Sequence, residues 1–489
     1  MAGRAAAREF DPRERLIVPR VHRPTPPGLL ASTLQLIRED MNLPESFPPE
    51  VEAEAKRAVE SFELPDADLT DIPFVTIDPA GATDLDQAVF VARSGAGFVV
   101  HYAIADVPAF VEPGGAIDEE ARQRGQTLYA PDGRIPLHPT AISEGAASLL
   151  ADELRSAFVW TMYLDVAGNV TTTKLTRARV RSRHQYTYAE VQALLDSGAA
   201  DESLQLLKQV GIVRVALERK RGGASLNRPD EEVMLEEGVY TLVRRSPLPI
   251  EEWNAQISLM TGMAAAKIMI DGGIGILRTM PAPFTDTLQQ FRRQVGAIGC
   301  PWPGDIPYGE YLRSLDRDDP RGLAAIHAAA SLFRGAGYTA FDGAPPEHSI
   351  QAAVAAPYAH TTAPLRRLVD RFVLVTCDAL LNGRTVPKWV REALPTLPKI
   401  MGRSDGVASR LEHASVDAIE AALLATHVGQ VFEAVVISAK EKGGGVIQLT
   451  EPVVTAAIEG DVTPGETVSA TLVTADIATG TTLFSALVE

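Results

Sequence analysis

Thr76-Ile77-Asp78-Pro79-Ala80-Gly81-Ala82-Thr83-Asp84-Leu85-Asp86-Gln87-Ala88 is the stretch on which the reading of this chain turns. The apolar, β-branched residues 74–77 predict a strand, Pro79 and Gly81 a turn, and residues 88–93 the next strand. Between them Asp78, Asp84 and Asp86 fall within nine residues. Asp84 and Asp86 are two apart, so on an extended backbone both point the same way. A turn at residues 79–81 brings Asp78 back towards them. Hard oxygen ligands of this kind suit magnesium, with manganese as the alternative, because such ions keep waters and bind through few carboxylates plus substrate phosphate. Two such ions can activate water and stabilise the leaving oxygen of an in-line phosphodiester displacement. The same residues also suit an ordinary Asp-rich turn that holds no metal.

Outward from this loop, the bulk numbers bound the answer. The 489 residues are 46% apolar and 22% charged, which is globular composition with room for more than one folding unit. No apolar run is long enough to span a bilayer, and the first ten residues lack the apolar core of a secretion signal. Cys300 and Cys377 stand far apart, outside any metal-ligand spacing, and fit a reducing compartment; a cytoplasmic protein with no membrane partner is expected. The net charge of −17 speaks against a basic nucleic-acid footprint, yet a local basic channel and cation-binding carboxylates are compatible with it.

Residues 1–30 carry Arg4, Arg8, Arg13, Arg15, Arg20 and Arg23 and read as a mobile basic arm. Residues 31–71 hold two short helical patterns, 30–41 and 49–62. A larger unit, 72–425, follows, in which strands give way to helices predicted over 201–220, 251–270, 286–298, 365–381 and 407–424. The final unit, 426–489, contains five short apolar strands, 431–438, 445–449, 453–458, 467–472 and 482–487. That pattern suits a small OB-type barrel, a common single-strand platform, here poor in Arg and aromatics. No HExxH, P-loop or dinucleotide glycine motif occurs, so neither a zinc enzyme nor a nucleotide cofactor is expected.

The run 76–88 resembles the acidic motif of the RNase II (RNB) exoribonucleases, and the segments after it, His101–Val107, Gly125–Pro131 and Ile135–Pro139, are similar to that family in the same order. So is the block Tyr358-Ala359-His360-Thr361-Thr362-Ala363-Pro364-Leu365-Arg366-Arg367-Leu368-Val369-Asp370. The resemblance covers about residues 72–425. It implies an α+β fold: a mixed-sheet RNB catalytic domain with surrounding helices, followed by the OB-type barrel. It implies a magnesium-dependent 3′→5′ exoribonuclease that converts single-stranded RNA, processively or distributively, to 5′-nucleoside monophosphates.

By the same resemblance, Asp78, Asp84, Asp86 and position 87 hold metal, and Asp86 is the carboxylate most important for catalysis. Position 87 is Gln where the family has a fourth aspartate, so one negative charge is missing. Arg366 is expected to hold the scissile phosphate. Tyr129 is expected to pack on the 3′-terminal nucleotide, a role that needs no base preference. Tyr358 and Arg367 join the RNA-contacting set, and Glu412 lies near the active centre in a late helix. From the residues themselves, Thr362 reads as an N-cap and Pro364 as the first turn of a helix whose free N–H groups face phosphate, with Asp370 fixing Arg366. Only about seventy residues precede the acidic motif, so the family's two cold-shock barrels are expected to be absent and processivity on long RNA to be modest. Two alternatives stay open: a catalytically weakened RNA-binding protein, which Gln87 favours, and a phosphodiesterase for short oligonucleotides, since sugar choice depends on pocket contacts.

Overall fold

In chain order the strands that build and flank the site are β1 (Phe74–Asp78), β2 (Gln87–Ser94), β3 (Gly97–Ala105), β4 (Leu128–Ala130), β5 (Gly133–Ile135), β6 (Leu154–Leu164) and β7 (Val170–Thr187). The computed structural model describes residues 27–224, 226, 230–236, 239–317, 319–440, 443–452 and 454–487, with the backbone alone at 27 and over 230–236 and 239–244. The basic arm expected over 1–30 therefore lies almost wholly outside the described residues.

β1, β2, β3, β6 and β7 close into a barrel, while β4 and β5 form a separate hairpin. Closure depends on β1, which pairs antiparallel with β2 at Val75↔Val89 and parallel with β7 at Ile77↔Tyr186 and Asp78↔Thr187. The expected mixed sheet is thus present, and it has no free edge at this seam. β7 alternates as a barrel strand must: Ala178, Val180 and Ser182 are buried, while Arg177 and Arg183 face solvent. Tyr102, Phe158, Trp160 and Met162 share one buried cluster with Ile257 and Met260 of the helix Pro249–Gly272. Each such fully buried large side chain contributes about 1.5–3 kcal/mol.

The five C-terminal strands also close into a barrel, formed by Val431–Ala439, Gly445–Leu449, Thr455–Glu459, Thr467–Asp476 and Thr481–Ala486 around Val436, Ile447, Leu449, Leu472 and Phe484. Helices form where expected at Glu202–Arg221, Pro249–Gly272 and Thr285–Ile298. Two boundaries move. The helix expected over 407–424 begins ten residues earlier, as Leu397–Leu424. Pro398, Gly402 and Gly406 weaken its local propensity, but Leu397, Met401 and Ser404 are buried and packing overrides the penalty of about 1 kcal/mol per glycine. The second shift concerns the helix at 365 and belongs to the site below. Among the described residues no helix is long and apolar enough to cross a membrane.

His138 is fully buried. Burial first, and then the nearby charge of Arg371, lower its pKa to about 3. The unfolded chain therefore binds a proton that the folded chain refuses between about pH 6.5 and pH 3. Unfolding free energy is expected to fall by about 1.4 kcal/mol per pH unit across that window from this residue alone. Denaturant titrations at stepped pH on wild type and His138→Phe should show a shallower acid slope in the variant; parallel slopes would remove the assignment.

Candidate active site

β1 delivers Asp78 at its last position. The chain then turns at Gly81, whose φ of +78° suits a residue without Cβ, and Ala82 N donates to Pro79 O at 3.2 Å. Asp84 and Asp86 are held by different elements. Asp86 is 5% exposed, and its Oδ1 accepts the Leu365 N–H at 2.8 Å. Asp84 faces the β4–β5 hairpin, where Arg134 Nη1 donates to it at 2.7 Å and the Tyr129 hydroxyl lies 3.4 Å away. The parallel projection expected of two residues two apart fails because residues 82–86 are irregular.

The charge of Asp84 still acts on both of the other carboxylates. Burial, reinforced by the charge of Asp84 and partly offset by Arg366, raises Asp78 to about 6. Burial pushes Asp86 well above the carboxylate range, against the opposing pull of Arg366 and the Leu365 N–H. Asp78 Oδ2 is buried without a hydrogen-bond partner. A hard divalent cation suits this donor set, since it would satisfy the orphaned oxygen and offset the mutual repulsion. Among the described residues, however, no three His, Cys, Asp or Glu side chains converge on one ready-made cation site.

The arginine block differs from its sequence reading in two ways. The helix begins at Leu368, three residues late, and Thr362 and Pro364 do not cap it. Long-range bonds claim the N–H groups that would have started it. Leu365 N–H goes to Asp86, Ala363 N–H to Asp370 Oδ1 at 2.8 Å, and Leu368 N–H to Gly125 O at 3.0 Å. These groups are consequently not a phosphate cradle. Nor does Asp370 fix Arg366: it takes Arg367, at 3.0 Å through Nε and 2.9 Å through Nη2. The side chain of Arg366 is 48% exposed, and its Nε stands 3.7 Å from Asp86 Oδ2, which is attraction without a hydrogen bond.

The hairpin supplies the opposite wall. Tyr129 is 51% exposed, and its hydroxyl is raised to about 12 by burial and by Asp84. Arg134, its cross-strand partner, bridges Asp84, the Thr83 hydroxyl at 2.6 Å and Glu144 at 2.8 Å. The hairpin turn is clamped from outside by Arg38, which donates to both Asp132 oxygens at 2.7 Å. Arg134 escaped the sequence reading; its one local signal is that a short hairpin places it directly across from Tyr129.

Comparison with known proteins now bears on this geometry. The family model of the RNB domain matches residues 66–383, more than half of the chain. The chain belongs to the RNB-domain family. A model of the RNase II-type exonuclease C-terminal S1 domain matches residues 430–487, the second barrel. Ribonuclease R of Thermotoga maritima is 27% identical over 433 residues, 83% of this chain and 60% of that protein. The exosome complex exonuclease RRP44 homolog A of Arabidopsis thaliana is 29% identical over 334 residues, 63% of this chain and 34% of that protein. The chain therefore spans about one third to three fifths of the length of these relatives. Among solved structures, the apo form of Mycoplasma genitalium RNase R superposes with a TM-score of 0.83 at 20% identity, covering 94% of this chain and 78% of that one. Yeast Ssd1, described as a pseudonuclease, superposes with a TM-score of 0.69 at 15% identity, covering 92% and 57%. At such identities the likeness is one of fold.

Within this RNB domain the remaining expected site residues are placed less openly. Both ends of the Gln87 amide are engaged: Nε2 donates to Thr362 O at 2.7 Å and Oε1 accepts the Tyr102 hydroxyl. Arg367 is committed to Asp370, and its backbone bridges Gln126. Tyr358 is only 8% exposed, its ring edge-on to His360 at 5.5 Å, and it lines a cavity of about 780 Å3 rather than standing free to stack. Glu412 is exposed on the Leu397–Leu424 helix, whose neighbouring Leu411 packs on Leu128 and Ile135 of the hairpin. No hydrogen bond or ion pair ties Glu412 to the carboxylate loop among the described residues.

Proposed function

We propose that this RNB-domain chain is a 3′→5′ exoribonuclease that hydrolyses single-stranded RNA to 5′-nucleoside monophosphates, with magnesium or manganese held by Asp78, Asp84 and Asp86. The observation that carries the reading is the exposed guanidinium of Arg366, with no hydrogen bond of its own, beside the carboxylates of Asp78, Asp84 and Asp86 and the open ring of Tyr129. Arg366 offers a planar, bidentate clamp for the reacting phosphate, and Tyr129 a face on which the terminal base stacks. Asp86 stays anchored to Leu365 N–H and so keeps its second oxygen aimed at the reacting centre. When bound, the metal supplies acidified water and neutralises charge at the phosphate. RNase R of M. genitalium has been solved with single-stranded and with double-stranded RNA, which supports RNA as the ligand class.

The deciding experiment is a time course on 5′-labelled single-stranded RNA with magnesium. A ladder shortening from the 3′ end with release of 5′-monophosphates is expected. RNA that stays bound and intact with either metal would instead favour the second reading, a binding protein, for which the engaged amide of Gln87 is the specific observation. Arg366→Ala is expected to lower kcat/KM by about 10²–10³-fold with little change in melting temperature, because that side chain makes no internal hydrogen bond. Arg366→Lys should recover little of it, a point charge being no substitute for the fork. Single-turnover rates and thermal melts on the two variants check this; a rate within threefold of wild type would remove Arg366 from the phosphate.

A further inference from the structure

We propose that the cleft between the helices of residues 285–333 and the C-terminal barrel is a second RNA contact, taking a base and an adjoining phosphate of the strand upstream of the reacting end; this rests on the exoribonuclease reading above. The cleft has a volume of about 570 Å3, within the roughly 300–1,000 Å3 of small-ligand sites. Phe284, Gln290, Gln294 and Arg334 form one wall, and Ile437 and Ser438 of the barrel strand Val431–Ala439 the other.

Three observations select the occupant. Among the described residues no Asp or Glu lines the cleft, although the chain carries 63 acidic residues and a net charge of −17. Arg334 stands exposed in it with no hydrogen bond or ion pair among the described residues. That is the charge pattern a phosphate requires. Phe284 is 76% exposed, the most open of the large apolar side chains among the described residues, at the start of the helix Thr285–Ile298. An aromatic ring held in water has the geometry of a stacking platform, and every base has a face to meet it. Finally, the barrel cannot supply that platform itself. Its Phe432 and Phe484 meet edge-on at 5.8 Å, with Phe484 fully buried in the barrel core. The stacking ring needed by a single-strand barrel is therefore contributed from the neighbouring helix.

The cleft is also pre-formed. Gln294 Nε2 donates to Ile437 O at 3.3 Å, and Ile437 lies in one buried cluster with Phe291, Val295 and Leu332. At Gly465 a Cβ would fall 1.5 Å from the carbonyl oxygen of Ala297, so the barrel and the helix sit in direct backbone contact. Rigid walls lower the ordering cost of binding.

The test uses the full chain carrying Asp86→Asn as a non-cleaving background and measures binding of an oligouridine of about twenty nucleotides, longer than the span of a single OB fold. Phe284→Ala and Phe284→Leu are expected to weaken binding about tenfold, and Phe284→Tyr to retain it, since the ring and not the apolar area is what stacks. Arg334→Ala should lower the slope of log affinity against log salt by about one. In the cleaving protein the same substitutions should leave turnover of a trinucleotide unchanged. Unaltered affinity and salt slope in these variants, with wild type still shortening RNA, would overturn this inference alone. If wild type neither bound nor shortened RNA, the exoribonuclease reading would fall and this one with it.

Discussion

Replacing Asp86 by asparagine is expected to lower RNA hydrolysis by about 10³-fold while leaving the melting temperature unchanged or raised by a few degrees. The two halves have different causes. Asp86 is the carboxylate through which the loop touches both Arg366 and the turn at 364–366, so on the proposed reading its charge stands beside the reacting phosphate. Removing a pre-organised charged group from such a position loses rate on this scale. Stability moves the other way. Burial first, together with Asp370 and Asp84, holds the Asp86 carboxyl well above its ordinary range. A carboxyl raised in the folded state destabilises the fold when it ionises, so near neutrality its charge is a net cost. Asparagine keeps the oxygen that accepts the Leu365 N–H and sheds the charge. Kinetics on labelled RNA and a thermal melt on the same preparation separate the two. A melting temperature several degrees below wild type would mean that lost activity reports a damaged fold.

Asp118→Ala is expected to destabilise the protein by about 3–5 kcal/mol, the scale of a broken buried ion pair. Asp118, on the helix Ala116–Arg124, is buried and accepts Arg371 Nη1 at 2.6 Å, Arg122 Nε at 3.1 Å and the Gly114 N–H at 2.9 Å. Arg371 is itself fully buried, with Nη2 on Val111 O at 2.9 Å and its guanidinium 4.8 Å from the Trp389 ring. Deleting the carboxylate leaves that cation without its counter-charge. Burial raises the Asp118 carboxyl, but Arg371, the Gly114 N–H and Arg122 outweigh it and hold it below its ordinary range. Its contribution is thus present above the ordinary carboxylate range and lost as pH falls through the depressed value. Urea titrations of Asp118→Ala, Arg371→Met and the double variant would show the double recovering much of the loss. Single variants within 1 kcal/mol of wild type would refute the pair's role.

What the sequence determined by itself is what local chemistry controls. The strand ends at Asp78 because β-branched residues meet Pro79 and Gly81. The five C-terminal strands were legible because apolar runs alternate with glycine turns. Helices such as Glu202–Arg221 were legible from their residue pattern, and the structure adds the cap, Asp201 accepting the Leu204 N–H at 2.8 Å. Asp78, Asp84, Asp86, Tyr129 and Arg366 could be named as a set only because their motifs resemble those of the RNB family in the same order.

Tertiary structure decided what those residues do with one another. A helix start at 365 satisfies every local rule, yet Asp86, 279 positions away, takes the Leu365 N–H and the helix waits until Leu368. Either arginine of a pair can meet a carboxylate three or four residues on; here Arg367 does so, and Arg366 is left for the open side. Arg134 meets Asp84 across fifty positions, and Gln87 spends its amide on Tyr102 and Thr362. Each outcome is a competition for a buried donor or acceptor, and a buried polar group must find some partner. Local spacing sets which partners are near in the chain, but only the closed barrel sets which are near in space.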